Sequence, residues 1–208
     1  MTDADVLLRR AHQAGYRLPH DFTGFSATVH TGSGDTGRLV VRGRTDLDLT
    51  FHGTTTADAH WPREELASMV SHRWASRYDD SDGRWAKRTD RDADGDTVKL
   101  LDDPFDSAYR LRDQMISEVH RTAGDTRFVI AVSERTTVPD GRYLPTHFTV
   151  FHWATATGQL VRAEHFVDTY VPVGDVHLPG RRQVVAATAD GLTTRTLTLS
   201  DHRVGTDA

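Results

Sequence analysis

The chain has 208 residues, no cysteine, 37% hydrophobic and 26% charged residues, and a formal net charge of −5. That length can bury the core of one domain, and the apolar fraction lies above the disordered range. The missing cysteines exclude disulfide scaffolds, thiolate zinc sites and cysteine nucleophiles, and the acidic balance argues against a binder of nucleic acid, which needs a basic face.

The segment 1–18 is predicted to hold an N-terminal helix over 3–16, capped by Thr2 or Asp3, with Leu7, Leu8, Ala11 and Ala14 on one stripe and Pro19 as its stop. From Phe25 the apolar period changes to two. Phe25, Ala27 and Val29, then Leu39 and Val41, then Leu47, Leu49 and Phe51 mark strands within 25–52. A second helix is predicted over 62–77, opened by Pro62 with Glu64 and Glu65 in its first turn and burying Leu66, Met69, Val70 and Trp74. The remainder, 84–201, reads as antiparallel strands at about 84–89, 96–101, 108–120, 126–136, 146–154, 160–171, 181–188 and 193–201, separated by Gly, Asp, Pro and Thr.

No linker or repeat divides the chain, so residues 1–208 read as a single domain. The expected class is α+β, mostly β. An antiparallel sheet this long must curl or split to protect its edges, and a strongly curved half-barrel packed around the two helices satisfies that need. The start, MTDADVLLRR, lacks a secretory h-region, and no run approaches a membrane span, so a cytoplasmic location is expected.

Two motifs resolve into turns. Gly32-Ser33-Gly34-Asp35-Thr36-Gly37 fits the dinucleotide spacing, but a strand and not a helix follows it. Asp90, Asp92, Asp94 and Gly95 resemble half of a calcium loop, but the twelfth position is Leu101 and the flanks look extended, as in an Asp-Gly hairpin.

The 12 histidines supply the candidate chemistry. A turn at Thr155-Ala156-Thr157-Gly158 would pair Ala154 with Leu160, Trp153 with Val161, Phe151 with Ala163, Thr149 with His165 and His147 with Val167. On that register Phe151, Trp153, Val161, Ala163 and Val167 share an apolar face, expected to point inward, with His147 and His165 as diagonal neighbours on it. His152, Arg162, Glu164 and Asp168 would face outward. Glu134, continuing the face of Phe128, Ile130 and Val132, would join them. Two imidazoles and a carboxylate suit Zn, Fe(II) or Cu, with nitrogen and oxygen ligands alone, or act without metal as general acid and base. His120 is a marginal addition.

The order of elements resembles the family catalogued as domain of unknown function 3386. The likeness rests on Leu8-Arg9-Arg10-Ala11-His12 through Phe22-Thr23-Gly24-Phe25-Ser26-Ala27-Thr28-Val29, on the Asp94-Gly95 hairpin, and on Tyr109-Arg110-Leu111-Arg112 leading to Val119-His120. The family's layout is in turn similar to the lipoprotein-carrier type of half-barrel, which implies a curved sheet around an apolar cavity and no transferable catalytic residue. The absent signal peptide counts against lipoprotein transport. Three functions are therefore carried forward. The first is a small-molecule-binding protein, with an apolar ligand near Trp74, Phe151, Trp153, Ala163 and Val167. The second is an enzyme using His147, His165 and Glu134 as acid–base groups or metal ligands. The third is an interaction module without pocket chemistry. Ligand identity and oligomeric state stay open.

Overall fold

The computed structural model describes residues 3–53 and 59–205; Thr2, one of the two expected caps, lies outside them. It contains helix α1 (Asp3–Ala14), strands β1 (Phe25–Thr31), β2 (Thr36–Val41) and β3 (Leu47–Phe51), and helix α2 (His60–Ser71). Nine strands follow: β4 (Ala86–Asp92), β5 (Gly95–Leu101), β6 (Ala108–Arg112), β7 (Met115–Ala123), β8 (Thr126–Thr137), β9 (Tyr143–Ala154), β10 (Leu160–Val173), β11 (Val176–Thr188) and β12 (Gly191–Val204). The strands form one antiparallel sheet in the order β3-β2-β1-β12-β11-β10-β9-β8-β7-β6-β5-β4. The class is thus the expected one, mostly β with two helices, and the sheet is open: β3 and β4 are its ends. Those edges are short or charged. β3 has five residues, and β4 carries the exposed charges Arg88, Asp90, Arg91 and Asp92, which discourages edge-to-edge pairing.

Several boundaries differ from expectation. The stretch 108–120 is two strands, because Asp113 and Gln114 adopt φ 53° and 61° and turn the chain without a glycine. Helix α2 begins at His60, ahead of Pro62, and ends at Ser71, well before Arg77. Its last turn closes as Arg73 N–H donates to Val70 O at 3.0 Å, and the Arg73 carbonyl is taken by Leu18 N–H at 2.7 Å. Trp74 therefore lies beyond the helix. The Asp94-Gly95 hairpin forms as expected between β4 and β5, with Gly95 at φ 125°, where a Cβ would collide with the Leu111 carbonyl oxygen.

The described residues gather into two compact units. One holds 3–16, 76–166 and 185–193; the other holds 17–53, 59–75, 167–184 and 194–205. Strands β10, β11 and β12 contribute residues to both. No helix among the described residues is long and apolar enough to cross a membrane.

In the first unit α1 buries Ala4, Leu8 and Ala11, at i, i+4 and i+7, against Tyr78, Val98, Leu100, Tyr109 and Leu111, with Leu7, Trp85, Ile116 and Val119 at the margin. A polar tie fixes this helix. Asp5 accepts from the Tyr78 hydroxyl at 2.9 Å and pairs with the buried Lys87 ammonium at 3.2 Å. Burial alone would raise the Asp5 carboxyl, but the bonds from Tyr78 and Lys87 outweigh it and hold the carboxyl below its ordinary value.

In the second unit the Arg182 guanidinium is enclosed. Its Nε and Nη2 donate to Asp168 Oδ1 and Oδ2 at 2.8 and 2.6 Å, and Nη1 reaches Glu65 Oε2 of α2 at 2.9 Å. Burial would lower the Arg182 pKa, but Asp168 and Glu65 outweigh it and raise it. The pair ties α2 to β10 and β11 in the bidentate geometry that makes such burial tolerable.

Two stability experiments follow. Arg182→Ala strands the Asp168 carboxylate and is expected to cost about 3–5 kcal/mol in urea denaturation; the double variant Arg182→Ala/Asp168→Ala should recover part of that loss. Asp5→Asn should cost about 2 kcal/mol near neutral pH. Because the folded Asp5 pKa is depressed, its contribution is complete above the ordinary carboxylate range and lost as pH falls through the depressed value. The gap between wild type and Asp5→Asn in denaturation midpoints should therefore close on acidification.

Candidate functional site

Lateral pairing defines two faces in the first unit, since directly opposed residues share a face. Val98 pairs with Tyr109, Tyr109 with Val119, Val119 with Ile130, and Ile130 with Val150. This row starts under α1 and runs out beyond it. Val98 and Tyr109 are buried in the α1 cluster, Val119 stands at its margin, and Ile130 and Val150 are half-buried.

The strand beyond is placed by two contacts. The Phe148 and Phe166 rings stack at 4.7 Å between centroids and 6° between planes, and Thr149 Oγ1 lies 3.1 Å from His165 Nδ1. Both match the pairing expected from the Thr155–Gly158 turn, in which Gly158 has φ 69° and its N–H donates to Ala154 O at 2.8 Å. Stepping along β8, β9 and β10 gives nine side chains on the α1 face. Val132, Phe148 and Phe166 form one rung, Ile130, Val150 and Glu164 the next, and Phe128, His152 and Arg162 the third.

The facing expected from the sequence is therefore reversed. Phe151, Trp153 and, by alternation, Ala163 and Val167 lie with His147 and His165 on the face opposite α1. Val161 and His165 are exposed there, while Glu164, Phe166 and Asp168 are buried. Phe148, Val150 and Phe166 supply the apolar weight on the α1 face that the choice of Phe151 and Trp153 left out. Trp153 stacks under the Arg127 guanidinium at 4.3 Å. Trp74 belongs to the second unit, where it meets Phe22 edge-on at 5.5 Å.

On that opposite face three of the named residues do come together. His147 Nδ1 lies 2.6 Å from Glu134 Oε2, and the His147 and His165 rings stack at 6.1 Å between centroids. Parity alone would put Glu134 on the face of Phe128, Ile130 and Val132. A register shift at Ser133 brings it opposite His147 instead. Each ring has Nδ1 engaged, one by a carboxylate and one by a hydroxyl. Among the described residues no group of three His, Asp or Glu side chains is placed to hold a metal ion. His120 Nε2 sits 2.7 Å from Glu118 Oε2.

Sequence reasoning missed the polar corner on the α1 face. Glu164 is 8% exposed at its side chain, accepts from Arg162 Nη2, and has its Oε2 3.3 Å from His152 Nε2. Phe128 packs on His152 at 6.2 Å between ring centroids. Alternation in Arg162-Ala163-Glu164 placed these residues on one face, but the expectation that this face was outward hid them.

Comparison with known proteins adds the following. A LolA superfamily protein from Nitrosomonas europaea of known structure aligns over 98% of this chain and 94% of its own, at 12% identity and a TM-score of 0.32. Among curated proteins none matches the chain. The family model described as protein of unknown function (DUF3386) matches residues 1–204, so the chain belongs to that family.

Proposed function

We propose that this protein binds an apolar or amphiphilic small molecule on the α1 face of the sheet, against β8, β9 and β10. The observation that carries the reading is the row Val98–Tyr109–Val119–Ile130–Val150, buried under α1 at one end and left half-buried at the other. Phe128, Val132 and Phe148 widen the half-buried end. Apolar walls with a few convergent polar groups are the common form of small-molecule sites. This location replaces the one on Phe151 and Trp153.

A second reading rests on the pair His147–Glu134. A carboxylate 2.6 Å from Nδ1 orients an imidazole for proton transfer through Nε2, and His165 stands beside it. It is an acid–base site on the opposite face, independent of the apolar one. Loss of turnover in His147→Ala and His165→Ala would support it.

The first reading is tested with an environment-sensitive apolar dye and with native mass spectrometry of freshly purified protein. Wild type should bind the dye. Phe148→Ala should weaken binding roughly tenfold, the effect of about 1.4 kcal/mol of lost apolar contact, and Val150→Glu should abolish it. Phe151→Ala, on the other face, should leave binding unchanged. Equal losses from Phe148→Ala and Phe151→Ala would overturn the assignment of the face.

A further inference from the structure

We infer that Arg121 anchors the head group of the ligand, and that this head group is a carboxylate at the end of an apolar chain. The inference rests on the apolar-face reading above and specifies the ligand class for it.

Arg121 stands on the α1 face of β7. It lies two residues along from Val119 and pairs with Phe128, which in turn pairs with His152. The guanidinium agrees with that facing: Nη2 donates at 3.0 Å to the hydroxyl of Tyr109, a residue buried in the α1 cluster. The ring of Phe105, exposed between β5 and β6, lies 5.8 Å from the same guanidinium. A cation flanked by Phe105 and Phe128 thus borders the half-buried strip of Ile130 and Val150.

The other cation on this face, Arg162, is hydrogen-bonded to Glu164. Arg121 has no such acid. Its one acceptor is neutral, the Tyr109 hydroxyl, whose own proton is donated to Asp82 at 3.0 Å. Asp82 and Asp103 act on the guanidinium through space. Nε is buried without a hydrogen-bond partner, and Nη1 has none among the described residues. A half-buried guanidinium with two unpaired nitrogens gains most from an anion, and a carboxylate brings two acceptor oxygens to it.

The two ends of the strip therefore differ in charge. Glu164 on β10, 8% exposed at its side chain, would repel an anionic head. β7 and β10 are three strand spacings apart, roughly 14 Å. A carboxylate on Arg121 stays clear of Glu164 and lays its chain over Ile130 and Val150. An alcohol would leave the charge of Arg121 unanswered, and an ammonium would meet a like charge there.

The test compares dodecanoate, 1-dodecanol and dodecylammonium, read by displacement of the apolar dye from wild type, Arg121→Met and Arg162→Met. Wild type should bind dodecanoate about tenfold more tightly than dodecanol, the worth of one charge-assisted hydrogen bond, and dodecylammonium least. Arg121→Met should bring the dodecanoate-to-dodecanol ratio to about one while keeping dodecanol binding; Arg162→Met should keep the wild-type ratio. Where Arg121→Met does not fold, dodecanoate labelled with carbon-13 at its carboxyl is titrated by NMR on wild type and Arg162→Met. The bound carboxyl should titrate below the free acid on both proteins; an ordinary or raised value on either overturns the inference. Equal binding of dodecanoate and dodecanol by wild type, an unchanged ratio in Arg121→Met, or a ratio lost in Arg162→Met overturns the head-group inference and leaves the apolar site standing. Tightest binding of dodecylammonium also overturns it, by making Glu164 the anchor. Failure of wild type to bind any probe or the dye removes the apolar site and the inference together.

Discussion

Side chains alternate across a strand, so the packing of α1 on β5 and β6 decides the character of every strand paired beyond them. Once Leu8 and Ala11 cover Val98 and Tyr109, the pairing of Tyr109 with Val119, Val119 with Ile130 and Ile130 with Val150 assigns the α1 side of β7, β8 and β9 without further choice. The helix is twelve residues long and its core contacts end at β7. Beyond that cluster Ile130 and Val150 continue the row and are half-buried. A candidate binding surface arises here from a mismatch between the length of an apolar row and the width of the helix that covers its start.

Charge is handled differently in the two units, and the difference separates a completed cluster from an incomplete one. Arg182 uses Nε and both terminal nitrogens on Asp168 and Glu65, so its donors are spent on the protein. A completed bidentate pair costs little to keep buried and offers nothing to a ligand. Glu164 is buried almost as deeply and is held by Arg162, but the buried His152 Nε2 beside it makes no hydrogen bond among the described residues.

Much of the fold was legible in the sequence because strand alternation and turn chemistry are local. The Asp94-Gly95 hairpin, the Gly158 turn and the pairing of Thr149 with His165 all follow from a few adjacent residues. The turn at Asp113 and Gln114 was not legible, since neither residue announces a positive φ as glycine would. The early end of α2 also depends on a distant residue, the Leu18 N–H on the Arg73 carbonyl. Register could be read and facing could not. Both faces of β9 are half-buried along most of their length, so apolar counts on Phe151 and Trp153 against Phe148 and Val150 do not discriminate. The discriminating fact is which face α1 covers, and that is tertiary.

The Glu134–His147 pair illustrates the same limit at a single residue. Counting in twos from Phe128 through Ile130 and Val132 sets Glu134 on the α1 face, and counting from Thr149 sets His147 on the other. The two side chains meet at 2.6 Å because the ladder shifts register at Ser133, and one extra residue inverts the parity of all that follows until the shift is undone at Arg135. A bulge at that point has a chemical effect beyond geometry. It moves a carboxylate off the face proposed for an apolar ligand and gives an imidazole on the opposite face an acceptor for its Nδ1–H. Without the extra residue Glu134 would share the α1 face with Val132 and Phe148, placing a second carboxylate beside the apolar strip. The same insertion thus keeps one face apolar and makes the other polar, which is why two unrelated site readings can coexist on one short stretch of sheet.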